Sequence, residues 1–243
     1  MSRSFLLSLS LISLAIPAHA QDLDSILALN AAAQGGDRLE QITSVRHHLS
    51  IKEPGFEVAG AYVASREGSM RIDIEADGKH VFSEGLDAKG AWEWSPEGGV
   101  GEQSEAGAAA LLHGIEMPGH FYTLQGVRDR GASLTLAGTL TEGDRSEWQI
   151  HLVMADGFER DYFIDQSTHR LTRQRDHRAF HPDVDPTPVT VETRFEDQQW
   201  IDGVLVFMRE EQANLDSGEW LGTTRVQSVE FNIPNVETAL QRP

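Results

Sequence analysis

The chain contains no cysteine. No disulfide framework can staple it and no lipid can be attached through a cysteine thiol, so its fold must rest on the core alone. Basic residues are scarce: 20 Lys and Arg stand against 38 Asp and Glu in 243 residues. A general nucleic-acid binder needs a positive field, and so does a protein that docks electrostatically on anionic lipid head groups; both classes are disfavoured. Catalytic signatures are missing as well. Neither Gly-x-Ser-x-Gly nor His-Glu-x-x-His occurs. Gly98-Gly99-Val100-Gly101 lacks the lysine and the preceding βα unit of a phosphate loop, and reads as a flexible turn. With no complete active-site set, a non-enzymatic role is expected and no cofactor is implied.

Long hydrophobic runs are also absent. The one apolar stretch of note, residues 5–16, is too short for a bilayer, which takes about 20 apolar residues. It follows Arg3, is broken by Pro17, and ends in Ala18-His19-Ala20, the small-x-small pattern of a cleaved export signal. Polar Gln21-Asp22 comes next. Residues 1–20 are therefore expected to be a signal peptide, with 21–243 working in the periplasm as one domain that has no transmembrane segment.

What remains is rich in short periodic segments. Leu23, Ile26, Leu27 and Ala31 recur at helical spacing, an Asp at 22 or 24 can cap the start, and Gly35-Gly36 ends the run. A shorter turn through Leu39 and Ile42 follows. From Val45 the period becomes two. Met70, Ile72 and Ile74 alternate with Arg71, Asp73 and Glu75; Trp148, Ile150 and Leu152 alternate with Glu147, Gln149 and His151; Val189, Val191 and Phe195 continue the pattern. Asp156-Gly157, Asp202-Gly203 and Asp216-Ser217-Gly218 are turn signals between such runs. Short strands joined by tight turns imply an antiparallel meander. One interruption, 101–114, is alanine-rich and helix-forming, and Pro118-Gly119 closes it. Each strand has one apolar face, so a long twisted sheet should curl around the few helices.

Three strings carry a resemblance: Ala31-Ala32-Ala33-Gln34-Gly35-Gly36-Asp37-Arg38-Leu39, Met70-Arg71-Ile72-Asp73-Ile74, and Trp200-Ile201-Asp202-Gly203-Val204. Together with the export signal and the helical interruption, they resemble the periplasmic lipoprotein-carrier superfamily, and more closely secreted bacterial proteins that share the His-Pro-Asp-x-Asp segment. The resemblance implies a mainly β fold: a long, strongly curved antiparallel sheet, or unclosed barrel, with a helical plug over an apolar cavity. It also implies a carrier or chaperone for a lipid, an acyl chain or a lipidated protein. The alternative is an envelope module that binds a protein partner without chemistry. No ligand-binding arginine of the carrier can be matched to a residue here.

The candidate cavity residues are Trp92 and Trp94, two apart on a strand, with Leu111, Leu112, Met117 and Phe121 around the helix and its closing turn. Each can equally serve the core, and the helix can be a static plug or a lid. His177, His181, Asp183 and Asp185 offer metal-type ligands, but Pro182 and Pro186 spoil a helical arrangement and Arg173, Arg175 and Arg178 oppose a cation. An ion-paired loop, with Arg175 and Arg178 holding Asp183 and Asp185, is the expectation, and no metal is assigned.

Overall fold

Alternation between apolar and charged residues makes one face of each strand stick to a core while the other stays wet, and the chain satisfies this with a single large sheet. The computed structural model describes residues 22–116, 118–182 and 184–243. The expected signal segment lies outside the described residues. The helix α1 (Leu23–Gln34) is capped by Asp22, whose carboxylate accepts from the Ser25 N–H at 2.8 Å, and it ends where Gly35 turns at φ 122°. A short helix α2 (Asp37–Glu40) follows.

Six strands then run in order: β1 (Ser44–Glu53), β2 (Phe56–Ser65), β3 (Met70–Ala76), β4 (Lys79–Asp87), β5 (Gly90–Ser95) and β6 (Gly99–Glu102). Two helices come next, α3 (Glu105–Glu116) and α4 (Leu124–Asp129). Seven strands return: β7 (Ser133–Glu142), β8 (Arg145–Val153), β9 (Glu159–Asp165), β10 (Leu171–His181), β11 (Asp185–Ile201), β12 (Val204–Asn214) and β13 (Trp220–Phe231). A last turn of helix, α5 (Val236–Ala239), closes the chain.

The described strands make one 13-stranded sheet in the order β6-β5-β4-β3-β2-β1-β13-β12-β11-β10-β9-β8-β7. Every pairing is antiparallel, and β1 joins β13 from Val45↔Phe231 onwards. The two edges, β6 and β7, are consecutive in sequence but not bonded to each other, so the barrel stays open. Only α3, α4 and their connections link those edges, so the helices must cross from one side of the sheet to the other. The expected unclosed barrel with helices across it is present.

The Asp202-Gly203 turn works as its chemistry demands. Asp202 and Gly203 both take positive φ, 48° and 81°, the mirror-image turn that matches strand twist. Gly35 packs against that same hairpin: a Cβ there would lie 2.7 Å from the Gly203 carbonyl oxygen. Beneath α1, α2 and α4 lies a continuous core that includes Ile26, Leu27, Leu39, Ile42, Leu124, Val127, Ile150, Leu152, Tyr162 and Ile164. Asn30 ties α1 down by donating to the His169 carbonyl at 2.9 Å.

Two local expectations are corrected. Residues 99–102 form β6, paired through Trp94↔Val100, where a loose turn was read; glycine has no side chain to show a period, so the pattern was invisible. Residues 171–181 form β10, not a loop. Its charged residues alternate strictly, with Arg173 and Arg175 on one face and Gln174, Asp176 and Arg178 on the other, a period hidden because both faces are polar.

Candidate functional site

A cavity of about 370 Å³ lies between the sheet and the end of α3. Its apolar wall comes from Val45 and Leu49 of β1, Phe195 of β11, Val204, Val206 and Phe207 of β12, Val226 of β13 and Phe231. Strand alternation places these side chains: Leu49 pairs with Val226, and Phe195 pairs with Glu210, which pairs in turn with Thr224. Phe195 and Phe207 stack at 4.4 Å between ring centroids. The roof is formed by Ala110, His113 and Gly114 of α3 and by Pro118, Gly119 and His120 of the loop behind it. Ala110 and Gly114 are exposed as well as cavity-lining, so this side of α3 forms the mouth.

The roof is fastened at identifiable points. Arg66, at the end of β2, donates from Nε to the Ile42 carbonyl at 2.7 Å, and from Nη2 to Leu39 at 2.7 Å and Phe121 at 2.9 Å. Its guanidinium also lies over the rings of Phe121 and Tyr122. Three carbonyls and two rings are thus gathered by one side chain, which accounts for the loop's position against the core. On α3, His113 hydrogen-bonds Asp156 at 2.7 Å and stacks on Phe158 at 4.1 Å.

The polar groups of the cavity fall into two clusters. His47 of β1, Tyr62 of β2 and His120 of the roof make the first; the His47 and His120 rings meet edge-on at 5.0 Å, and Tyr62 lies 5.1 Å from His120. Burial pushes His120 down to about 4 and His47 well below the usual imidazole range, helped by His120, while burial pushes Tyr62 up. All three are therefore neutral near pH 7. The second cluster is Arg160 of β9, Gln174 and Arg178 of β10, and Glu210 of β12. Arg160 and Arg178 share one carboxylate, Asp176, at 2.6 and 2.9 Å. Asp176 is 2 % exposed at the side chain and Arg160 9 %. Burial raises Glu210, and the charge of Arg160 offsets this only in part.

The residues singled out from sequence are distributed otherwise. Trp92 is wholly buried beside Gly85, in the region of β4 and β5 against which α3 packs, and does not line the cavity. Trp94 stacks on His80 at 4.4 Å, also away from it. Leu111 packs against the core and Leu112 is 37 % exposed. Phe121 is buried as the anchor held by Arg66. Met117 and Asp183 lie outside the described residues.

His177 is exposed, His181 pairs with Glu53 at 2.9 Å, and Asp185 caps the Thr187 N–H at 2.9 Å. Among the described residues no group of three or more His, Asp or Glu side chains is arranged to hold a metal. The arginines of this region pair with other carboxylates than those expected: Arg173 with Glu147 and Glu192, Arg175 with Glu192, and Arg178 with Asp176. Strand geometry explains two of these pairs: Glu192 lies directly across from Arg175 on β11, and Asp176 lies two residues from Arg178 on the same face of β10. His47, His120, Arg160 and Glu210 went unnoticed. The available signal was their placement on otherwise apolar or inward-facing strand positions.

No protein-family model matches the chain, and no curated protein matches it in sequence. Solved structures do resemble it in shape. A LolA-superfamily protein from Nitrosomonas europaea superposes with a TM-score of 0.60 at 12 % identity, over 91 % of this chain and 98 % of that one. A domain provisionally named an outer-membrane lipoprotein-sorting protein, from Vibrio parahaemolyticus, gives 0.58 at 9 % identity, over 89 % and 94 %. A DUF1329-family protein from Desulfovibrio piger gives 0.53 at 13 % identity, over 91 % and 100 %. At such identities the likeness is one of fold alone: this chain shares the unclosed, helix-crossed sheet of these structures.

Proposed function

We propose that this protein is a periplasmic carrier that shelters an acyl chain, free or attached to a larger molecule, in the cavity beneath α3. The observation that carries the reading is the cavity itself. Its volume of about 370 Å³ falls within the roughly 300–1,000 Å³ of ligand sites, and its wall is mainly aliphatic and aromatic. It is over twice the ~150 Å³ at which an engineered apolar cavity takes up benzene. Each methylene moved from water into such a wall contributes about 0.8 kcal/mol, so a chain of modest length gives useful affinity with no strong polar contact.

The pattern of residues 1–20 supports export, with processing before Gln21. Among the described residues no helix is long and apolar enough to cross a membrane. Sequencing the N-terminus of protein from a periplasmic fraction should begin at Gln21.

The test of the carrier reading is titration with a panel of fluorescent acyl ligands, beside a variant that narrows the mouth. Ala110 is exposed on α3, so Ala110→Trp should leave the fold intact while blocking access. Saturable binding by the wild type, weakened at least about tenfold in Ala110→Trp, is the expected result. No saturable binding across the panel would sink the carrier reading and move a protein-docking role in the envelope ahead of it.

A further inference from the structure

We propose that the end of the cavity formed by Arg160, Gln174 and Arg178 is a head-group subsite, and that the cargo is a single-chain amphiphile with an anionic carboxylate or phosphate head. The inference rests on the carrier reading above and names the chemistry of what is carried.

The first argument is placement. The aliphatic side chains come mostly from β1, β13 and β12, whereas the guanidinium groups belong to β9 and β10 and the acidic Glu210 to β12. Three strands, β13, β12 and β11, separate β1 from β10 in the sheet, a distance of about 19 Å along its curve at about 4.8 Å per strand. The cavity is therefore amphipathic from side to side. At its β1–β2 end the polar groups are His47, Tyr62 and His120, all uncharged near neutral pH. The positive charges sit at one end only.

The second argument is charge balance. Two guanidinium groups, Arg160 and Arg178, are served by one carboxylate, Asp176. The other acid on the cavity wall is Glu210, whose burial favours the neutral form. Glu53, farther along, is engaged with His181. With Arg160 buried and Arg178 half-buried, an excess of positive charge here is costly unless a counter-charge completes it. In a chain with a formal net charge of −18, this positive end runs against the general composition.

The third argument is donor geometry. Arg160 donates from Nε to Asp176 Oδ2 at 2.6 Å, with Nη2 close to the same oxygen as an ion pair, and reaches Tyr162 and Gln174 from Nη1 only at 3.4 Å. Arg178 Nε lies 2.9 Å from Asp176 Oδ1 as an ion pair without hydrogen-bond alignment, and its Nη1 makes long contacts of 3.3 and 3.5 Å with the Ala179 and Phe180 carbonyls. A carboxylate or phosphate presents acceptors that would replace these weak contacts with short, charge-assisted ones.

The experiment compares palmitate, cetyl phosphate, cetyl alcohol and cetyltrimethylammonium, all below their aggregation concentrations, by competition against one fluorescent acyl probe. The expected result is that the anions bind about ten- to a hundredfold tighter than the alcohol. A preference for phosphate over carboxylate would assign the cargo to single-chain phosphates, and the reverse to free fatty acids; either supports the subsite. Arg178→Gln should lose most of the preference for the anion over the alcohol. Arg145→Gln, an exposed arginine outside the cavity, should keep it. If Arg178→Gln fails to fold, Arg178→Lys serves instead, retaining the charge but weakening the preference through loss of the fork. Equal binding of anion and alcohol by the wild type overturns the subsite and leaves the carrier reading standing. Tighter binding of the ammonium ligand also overturns it, in favour of an ionised Glu210. Failure of every ligand to bind removes the carrier reading and this inference with it.

Discussion

Asp176 shows what a single side chain does in this protein. It lies on the cavity-facing side of β10, nearly sealed from solvent, between the guanidinium groups of Arg160 and Arg178. Removing one partner of a buried ion pair costs far more than the pair is worth, because the remaining charge loses its compensation. Asp176→Ala should therefore destabilise the fold by about 3–5 kcal/mol, read from denaturant melts. Glu230→Ala, which opens a more exposed pair with Arg46, should change stability by at most about 1 kcal/mol. From sequence, Asp176 was one acid in a cluster of mixed charge, and nothing in that string told inward from outward. The partition needs the strand's phase, and an all-polar stretch does not display a phase. Trp92 is the opposite case: its size announced burial, but whether it faces a cavity or a filled core depends on Gly85 opposite, where a Cβ would lie 2.6 Å from the indole.

At the scale of elements, α3 borders the mouth of the cavity. Ile115 is its buried anchor, whereas Ala110 and Gly114 line the mouth. Gly114 has no atom within 4 Å of where a Cβ would stand and no unusual φ, so its glycine is tolerated but not required by packing. Gly114→Ala should stabilise the helix, and with it the protein, by about 0.5–1 kcal/mol. Thermal and denaturant melts check this, and a loss of stability would show that α3 is not a regular helix at this position. Legibility differed by element for physical reasons. The helix α1 was readable to the residue because apolar period, acidic cap and terminal Gly35-Gly36 coincide. The helix α4 was not read: it has six residues, and its start depends on Thr123 accepting from the Gly126 N–H at 3.1 Å, a signal too short to stand out.

The whole molecule joins a sheet and a roof that meet partly through neutral histidines. His47 belongs to the sheet and His120 to the roof, and both are held below the ordinary imidazole value by burial. In the unfolded chain they titrate near 6.5, so below that pH the unfolded state binds more protons and gains stability relative to the fold. Their contribution is complete above about pH 6.5 and is lost as the pH falls towards 4. Glu210 acts in the opposite sense over its own range, because its raised value favours the folded state in acid. His181, raised by its hydrogen bond to Glu53, acts in the same sense as Glu210, so the part due to His47 and His120 is isolated by substitution. The two histidines should make stability fall between about pH 6.5 and 4, and His120→Phe should reduce that fall. An unchanged slope in His120→Phe would remove the histidine explanation.

The architecture as a whole was legible from the alternation, the Asp-Gly turns and the single helical interruption. The hollow was not, because periodicity reports which face is apolar and says nothing of the space between two apolar faces. The measurement that bears most directly on the carrier account is native mass spectrometry of protein purified gently from the envelope, followed by organic extraction of anything bound. The account predicts a mass excess that corresponds to an acyl-chain molecule, lost on extraction and absent from Ala110→Trp. A wild-type protein that is consistently free of lipid, and that acquires none when mixed with acyl ligands, would contradict it.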